Sequence, residues 1–198
     1  MKLANYNNRG FERGRSAIVE LLWIVVQALF ITSFLPGSMH RRFLLRRFGA
    51  KIGKGVVIKN GVRVKFPWRL TVGDHSWIGE RVWIDNLDQV VVGANCCISQ
   101  EAYLCTGSHD WTEATFNLIC KPITIDDHSW ICARSNIGPG VVVGEGAVLA
   151  MGSTASNNLE NWKVFRGNPA VAIRSRDFVD EPDAGERRHI SGYGNSAG

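Results

Sequence analysis

An aliphatic residue returns at every sixth position in one stretch of the chain, residues 124–154. The series is Ile125, Ile131, Ile137, Val143 and Leu149. Neither the 3.6-residue period of an α-helix nor the two-residue alternation of a β-strand produces this spacing. A period of six is typical of the short strands of a parallel β-helix, whose coils bury their apolar sides by stacking. The same spacing recurs upstream, in the series Val72, Ile78, Ile84 and the series Val92, Ile98, Leu104. The sequence therefore predicts an all-β solenoid.

The six-residue register is interrupted three times. Two slips, each of two residues, lie within 64–72 and 84–92. The longest interruption is 107–122, which shows no hexad pattern. Insertions in solenoids collect on one face, and loops on rigid scaffolds often carry binding and catalytic residues. We therefore expect the chemistry to lie at these interruptions.

Four segments resemble those of a known family. They are WIDNL at 83–87, CISQ at 97–100, YLCTGSHD at 103–110 and RGNP at 166–169. The family is the left-handed β-helix hexapeptide acyltransferases, and the resemblance covers about residues 52–174. Within it, the segments look most like colanic-acid-type exopolysaccharide O-acetyltransferases, relatives of the maltose, galactoside and nodulation enzymes. The resemblance implies a left-handed parallel β-helix, acetyl-CoA as donor, a sugar or lipid-linked glycan as acceptor, and a homotrimer.

The resemblance places His109, in the longest interruption, on the family's catalytic histidine. Taking a proton from a sugar hydroxyl requires a base that is neutral near pH 7, and imidazole meets this requirement. Asp85, Asn86 and Asp110 are placed near the acceptor sugar, and Asp110 could instead orient the imidazole of His109. The implied acetyl-CoA contacts, largely through backbone groups, are Trp130, Ala133, Met151, Ser153, Asn157, Arg166 and Arg174.

Three alternatives remain beside this interpretation. The chain could act on a different acceptor, such as a free sugar, an antibiotic or an amino sugar, or serve as a non-catalytic scaffold. A γ-carbonic-anhydrase-like metal enzyme would need three converging histidines, which the spacing of His75, His109 and His128 does not supply. His75 and His128 recur at the same turn of the repeat, so we interpret them as repeat features. No metal ligand set is predicted.

Cysteine usage bears on the compartment. Five cysteines with no paired metal spacing predict neither a zinc site nor a disulfide framework. Cys96 falls at a small inward position of its hexad, so it is predicted to be a buried thiol. We therefore expect a cytoplasmic protein.

The N-terminal part differs from the repeat in charge. Residues 1–54 hold ten Lys or Arg and two Glu, a net charge of +8, so the remainder sums to 5 − 8 = −3. An apolar run at 17–35 stops at a Pro-Gly pair and predicts a helix. A second helix follows at 40–48. No nucleic-acid recognition motif accompanies the charge, which makes that partner a weaker explanation.

The first helix has several interpretations. It could lie in the membrane interface, cover the β-helix or a partner subunit, or span a membrane. Glu20 makes a span costly. A secretory signal peptide is a further alternative, but a clear small-x-small cleavage site is missing. We favour the interface for the first helix. In the second helix, Arg41, Arg42, Arg46 and Arg47 either face anionic headgroups or belong to a solvated basic helix that precedes the coils.

The predicted organisation has three segments. Residues 1–48 form the apolar and basic helical segment, which we expect the coils not to need for their own stacking. Residues 49–174 form the β-helix acetyltransferase domain. Residues 175–198 are charged and Gly-rich and predict a loosely ordered tail.

Overall fold

The computed structural model describes residues 3–8 and 10–177. Its body is a parallel β-helix, which confirms the predicted fold class. The first three coils contain β1 (Lys51–Ile52), β2 (Val57–Ile58), β3 (Arg63–Val64), β4 (Leu70–Val72), β5 (Trp77–Ile78), β6 (Trp83–Asp85), β7 (Val90–Val92), β8 (Cys97–Ile98) and β9 (Tyr103–Cys105). A hairpin of β10 (Gly107–His109) and β11 (Leu118–Cys120) then interrupts the coils.

Two more complete coils follow this hairpin. They contain β12 (Ile123–Ile125), β13 (Trp130–Ile131), β14 (Asn136–Ile137), β15 (Val142–Val143), β16 (Val148–Leu149) and β17 (Thr154–Ala155). A closing antiparallel hairpin is formed by β18 (Lys163–Gly167) and β19 (Ala170–Ser175).

The strands stack into three parallel sheets. Sheet A has the order β1-β4-β7-β12-β15, and sheet C has the order β17-β14-β9-β6-β3. Sheet B runs β2-β5-β8-β13-β16 and is extended by β18 and β19. The aliphatic residue of each hexad points into the core, so the repeat gives continuous inward columns. One column in sheet B consists of Ile58, Ile78, Ile98, Ile131 and Leu149, all buried.

The turns between the sheets form three corners of a triangular prism. The first corner joins sheet A to sheet B, the second joins sheet B to sheet C, and the third joins sheet C to sheet A. At the first corner His75 (φ 58°) and His128 (φ 62°) occupy equivalent left-handed turn positions. This confirms that they are features of the repeat. All three interruptions of the hexad register lie at the third corner, at 65–69, 86–89 and 106–122.

Two helices cover the N-terminal end of the β-helix. Helix α1 (Ala17–Val26) continues as a π-helix over Gln27–Ile31, and α2 (Met39–Arg47) follows. The buried indole of Trp23 donates to the Val64 carbonyl at 2.7 Å, and the Gln27 side-chain oxygen accepts from the Val64 N–H at 2.6 Å. These bonds satisfy backbone groups of an end strand that would otherwise be open. The segment therefore caps the N-terminal end of the stack, and the expectation that the coils do not need it stays a prediction.

The opposite face of the helical segment is apolar and exposed. Its exposed large side chains include Ile18, Leu21, Leu22, Leu29, Phe34, Met39 and Phe43. The segment thus packs on the β-helix with one face, as one alternative predicted, and leaves a second face uncovered. In the part of the chain that the structure describes, no helix combines the length and apolarity needed to cross a membrane.

Arg41 does not face outward with the other arginines, so that part of the prediction is wrong. It is only 2% exposed, and its guanidinium donates to carbonyls at and just after the end of the π-helix that continues α1. The acceptors are Ile31, Ser33, Leu35 and Gly37. The end of a helix leaves carbonyls without intrahelical partners, and Arg41 satisfies them at this connection. Burial lowers the pKa of Arg41.

The predicted tail lies outside the described residues from residue 178 onward. Its first residue, Ser175, is the last residue of β19. The guanidinium of Arg176 donates to the carbonyls of His128 and Gly146, each at 2.8 Å. These contacts tie the end of the closing hairpin to the first corner.

Candidate active site

The longest interruption at the third corner places His109 on the β10–β11 hairpin. His109 is paired with Leu118 and Gly107 with Cys120. Directly opposed residues of an antiparallel pair project from the same face. The imidazole therefore shares one face of the hairpin with the side chains of Leu118 and Cys120.

Phe116 fixes both the orientation and the tautomer of His109. The two rings stack in parallel with centroids 4.2 Å apart, and Nδ1 of His109 lies 2.9 Å from the Phe116 carbonyl oxygen. A carbonyl only accepts hydrogen bonds, so Nδ1 of the neutral ring carries the proton and donates. Nε2 then keeps its lone pair, and it is the basic atom of this side chain.

Residues near the N-terminus complete the surroundings of His109. Tyr6 packs edge-on against the imidazole with ring centroids 5.4 Å apart. Further along, Phe11 stacks on Phe66 at 6.2 Å, and the indole of Trp68 donates to the Arg13 carbonyl at 2.8 Å. The N-terminal segment therefore runs along the third corner. Sequence reasoning missed this contact, because residues 1–15 carry no periodic or motif signal.

Asp85 lies at the end of β6, beside the third corner. Its carboxylate accepts from the Tyr103 hydroxyl at 3.0 Å and pairs with the Lys65 ammonium at 3.1 Å. Burial, helped by neighbouring Cys105 and Asp85, raises the pKa of Tyr103, so this phenol stays a donor. The arrangement keeps a half-buried carboxylate close to the start of the His109 hairpin.

The side chain of Asn86 is buried, and its hydrogen bonds are structural. It is 0% exposed, its amide nitrogen donates to the Phe66 carbonyl at 2.7 Å, and its oxygen accepts from the Phe66 N–H at 2.9 Å. Both ends of the amide are thus used to hold the neighbouring coil. The prediction that Asn86 contacts the acceptor is wrong for this reason.

Asp110 organises the loop that follows His109. Its Oδ1 accepts from the backbone N–H of Thr112 at 2.8 Å and from the Thr112 hydroxyl at 2.5 Å. These bonds lower the pKa of Asp110, which favours the ionised form. Nδ1 of His109 is bonded to Phe116, so Asp110 is not the group that orients the imidazole.

A groove of about 600 Å³ lies along sheet B and the second corner. Four of the residues predicted to contact acetyl-CoA line it: Trp130, Ala133, Met151 and Arg174. The groove is largely apolar, and Arg174 and Arg176 add positive charge at one end. Trp130 is held by a hydrogen bond from its indole to the Ser99 hydroxyl at 2.9 Å. Sequence reasoning missed Arg176, because it lay in the segment interpreted as a tail.

Comparison with known proteins decides the family. The chain is 42% identical over 168 residues to WcaF, a candidate colanic acid biosynthesis acetyltransferase of Escherichia coli K12, covering 85% of this chain and 92% of that protein. The chain belongs to the hexapeptide-repeat acetyltransferases. The predicted family and enzyme class are thereby confirmed, although no protein-family model matches the chain.

Solved structures of other hexapeptide-repeat acetyltransferases share the fold. The Vibrio cholerae enzyme VCA0836 is 26% identical, with a TM-score of 0.73 over 82% of this chain and 95% of that one. A galactoside acetyltransferase in complex with coenzyme A is 20% identical, with a TM-score of 0.74 over 84% of this chain and 86% of that one.

Three predicted acetyl-CoA contacts of this acetyltransferase lie away from the lining of the groove. Ser153 is buried, and its hydroxyl accepts from the Gly167 N–H at 3.0 Å, so it joins the last complete coil to β18. Asn157 and Arg166 are exposed, beyond β17 and within β18. The structure therefore gathers four of the seven predicted donor contacts into one groove.

His109 and this groove occupy different corners of the acetyltransferase. His109 stands at the third corner, and Ala133 and Met151 stand at the second. Sheet C lies between the two corners. One hexad separates neighbouring corners, which is roughly 15–20 Å of extended chain.

Proposed function

We propose that the protein transfers the acetyl group of acetyl-CoA to a sugar hydroxyl in exopolysaccharide biosynthesis, with His109 as general base. The observation that carries this proposal is the Nδ1 bond to the Phe116 carbonyl, because it leaves Nε2 basic. The 42% identity to a candidate colanic acid biosynthesis acetyltransferase supports the substrate class. The acceptor is an exopolysaccharide or its lipid-linked precursor.

In the proposed reaction, Nε2 of His109 takes the proton of the sugar hydroxyl as its oxygen attacks the thioester carbonyl. The tetrahedral intermediate carries an oxyanion, which a backbone N–H near the groove stabilises. Its collapse breaks the carbon–sulfur bond, and the imidazolium returns the proton to the thiolate of coenzyme A. A positioned base of this kind contributes about 10² to 10⁴ in rate.

The groove at the second corner suits the donor. Apolar surface from Trp130 and Met151 fits the pantetheine arm, and Arg174 and Arg176 fit the nucleotide phosphates. The structure of VCA0836 in complex with acetyl-CoA has the same fold, with a TM-score of 0.75 at 23% identity. Ser153, Asn157 and Arg166 remain proposed contacts, Ser153 through its backbone only.

Asp85 and Asp110 are the proposed acceptor contacts. Asp85 is half-buried and lies beside the tilted ring pair of Trp83 and Tyr103, whose centroids are 4.7 Å apart. A carboxylate that accepts hydrogen bonds from hydroxyls, next to aromatic surface, suits a sugar ring.

We further propose a homotrimer. Reacting atoms must approach to about 3–3.5 Å, whereas His109 and the donor groove lie on different corners of one chain. A neighbouring subunit that brings its second corner against the third corner of this one would complete the site. Light scattering should then give the trimer mass at assay concentration, and full activity at the monomer mass would contradict the assembly.

The apolar outer face of the helical segment is proposed to lie on an anionic membrane surface. Between α1 and α2, a groove of about 530 Å³ combines Arg15, Arg46 and Arg47 with apolar walls at Val19, Leu22 and Phe48. Apolar burial and attraction to anionic lipid together can hold a protein at a membrane. The protein would then act at the cytoplasmic face, where a lipid-linked glycan is concentrated.

This membrane contact predicts binding to phosphatidylcholine vesicles that contain phosphatidylglycerol, measured by co-sedimentation. Binding should weaken as salt rises, because salt screens exposed charges. Each basic residue near such a surface contributes about 1 kcal/mol, so the Arg15→Gln/Arg47→Gln variant should bind about tenfold or more weakly. Lys121→Gln is the control, because this lysine is exposed at the third corner, away from the two helices. Failure of the full chain to bind at low salt would remove the membrane proposal.

The catalytic proposal is tested with purified protein, labelled acetyl-CoA and a panel of acceptors. The panel contains the oligosaccharide repeat of the host exopolysaccharide, maltose, a galactoside, an amino sugar and chloramphenicol. We expect acetylation of the oligosaccharide, located by mass spectrometry. Preference for chloramphenicol or a free sugar would favour the alternative acceptors, and no transfer to any of them would favour a scaffold.

A further inference from the structure

A cavity of about 380 Å³ lies beside the His109 hairpin, against the N-terminal segment. Its walls include Asn7, Asn8, Phe11, Asn117, Leu118 and Cys120. Its volume falls in the lower part of the range of about 300–1,000 Å³ for small-molecule sites. None of the residues assigned above to the donor or to the acceptor lines it.

The cavity opens on the same face of the hairpin as the imidazole. Leu118 is directly opposite His109, and Cys120 is directly opposite Gly107. Side chains alternate along a strand and opposed ones share a face, so the walls at Leu118 and Cys120 stand beside His109. Tyr6 packs on the imidazole, and the next residue, Asn7, lines the cavity.

The N-terminal wall is held in place by contacts with the third corner. Phe11 stacks on Phe66, and the guanidinium of Arg69 lies 5.3 Å and 5.4 Å from these two rings. Trp68 donates to the Arg13 carbonyl. The wall is therefore attached to a rigid coil.

The lining chemistry indicates the class of ligand. The side-chain amides of Asn7, Asn8 and Asn117 carry donors and acceptors, which is the chemistry that hydroxyl groups require, and the Asn117 nitrogen also donates to the Glu113 carboxylate. Phe11 and Leu118 add apolar surface. Amide groups beside apolar surface suit a ring that carries hydroxyls.

We propose that this cavity binds a sugar ring of the acceptor, next to the sugar whose hydroxyl faces Nε2 of His109. Residues 6–8 and Phe11 then form an element that determines acceptor specificity. This inference rests on the proposed function, because it assigns a second subsite to the same acceptor. It explains why a segment without repeat character is packed against the catalytic hairpin.

The test compares the Asn7→Ala/Asn8→Ala variant with Asn5→Ala, a control in the same exposed segment that does not line the cavity. The probes are methyl β-galactoside, maltose and the oligosaccharide repeat of the host exopolysaccharide. Loss of two hydrogen bonds should raise the acceptor KM about tenfold. The KM for acetyl-CoA and the hydrolysis of acetyl-CoA without acceptor should stay within about twofold of wild type, as should every constant of Asn5→Ala.

Binding is measured separately by ligand-detected NMR, so it does not depend on acetyl transfer. Loss of sugar binding in the Asn7→Ala/Asn8→Ala variant, with an unchanged melting temperature, supports the cavity even if no acceptor is acetylated. The absence of acetylation would remove only the proposed function. An unchanged acceptor KM and unchanged sugar binding overturn the inference. A raised KM for acetyl-CoA alone also overturns it, because the cavity would then belong to the donor.

Discussion

The first and third corners of the β-helix both carry histidines, and the two corners hold them in different ways. At the first corner, His75 and His128 occupy a left-handed turn position that recurs from coil to coil. At the third corner, His109 stands on an inserted hairpin, where Phe116 stacks on its ring and accepts from Nδ1. The regular corner is fixed by what stacking requires of every coil. The insertion is free of that requirement, so its conformation can orient a side chain independently of the repeat.

Removal of the two kinds of histidine gives the largest expected contrast. His109→Ala should lower kcat/KM for acetyl transfer by about 10² to 10⁴, because it removes the proposed base. Its melting temperature should stay close to wild type, since His109 is half-buried on a hairpin and not in the core. The matched change is His75→Asn, because asparagine tolerates the left-handed turn. We expect this variant to keep its activity within about twofold.

Steady-state kinetics with acetyl-CoA and the identified acceptor measure both variants. Activity retained in His109→Ala would contradict the mechanism. Equal loss in His75→Asn would mean that the first corner also takes part in the chemistry.

The second contrast concerns stability. Ile131 is fully buried in the inward column of sheet B, and Ile131→Ala should cost about 2–5 kcal/mol of unfolding free energy. Ile119 lies half-buried in the His109 hairpin. Ile119→Ala should cost less than half as much, since part of its surface already faces water. Urea denaturation measures both values, and a larger cost at Ile119 would show that the hairpin belongs to the folding core.

The third contrast lies within the third corner itself. Asn86→Ala would leave the Phe66 N–H and carbonyl without their present partners in a buried site. The expected loss of unfolding free energy is about 1–3 kcal/mol, with little change in the acceptor KM. Denaturation and kinetics on the same preparation separate the two effects. A raised acceptor KM at unchanged stability would return Asn86 to the acceptor site.

The sequence predicted the parts of the fold that repeat. The inward column through Ile131 and Leu149 follows from spacing alone, because every coil meets the same packing requirement. It also predicted that residues 107–122 leave the coil, since they break the spacing. The pairing of His109 with Leu118 was not predictable, because three-residue strands carry too little alternation to fix a register.

Contacts between segments that are distant in sequence could not be predicted either. The approach of Tyr6 to His109 depends on where the N-terminal segment runs, and no pattern in residues 1–15 records that path. Arg41 has the composition of a surface arginine. Its inward direction follows from carbonyls that are left open at the end of the preceding helix, which only the three-dimensional connection reveals. The groove proposed for the donor was partly predictable, because Trp130 and Ala133 belong to regular coils.

The smallest expected effect tests how closely the first corner repeats. Ser76, Cys96 and Ser129 occupy equivalent inward positions in successive coils. Each side chain donates to the corresponding carbonyl of the next coil, with Ser76 to Gly93 at 2.7 Å, Cys96 to Asp126 at 3.1 Å and Ser129 to Gly144 at 2.9 Å. Cys96→Ser should therefore be accommodated with a change of about 1 kcal/mol or less near pH 7.

Cys96→Ser should also abolish a loss of folding stability that the wild-type protein shows at alkaline pH. Burial raises the pKa of the Cys96 thiol from 9.0 to about 11. The folded state then favours the protonated thiol, so its contribution is fully present below pH 9 and is lost as pH rises from about 9 towards about 11. Wild type should lose about 1 kcal/mol per pH unit relative to Cys96→Ser over this interval. Because Cys132 titrates in both proteins, its raised pKa cancels in the difference between their urea denaturation curves. If the unfolding free energies of wild type and Cys96→Ser change in parallel from pH 8 to 11, the Cys96 thiol ionises in the folded protein as it does in the unfolded chain. The first corner would then be more open to water than the burial of Cys96 indicates.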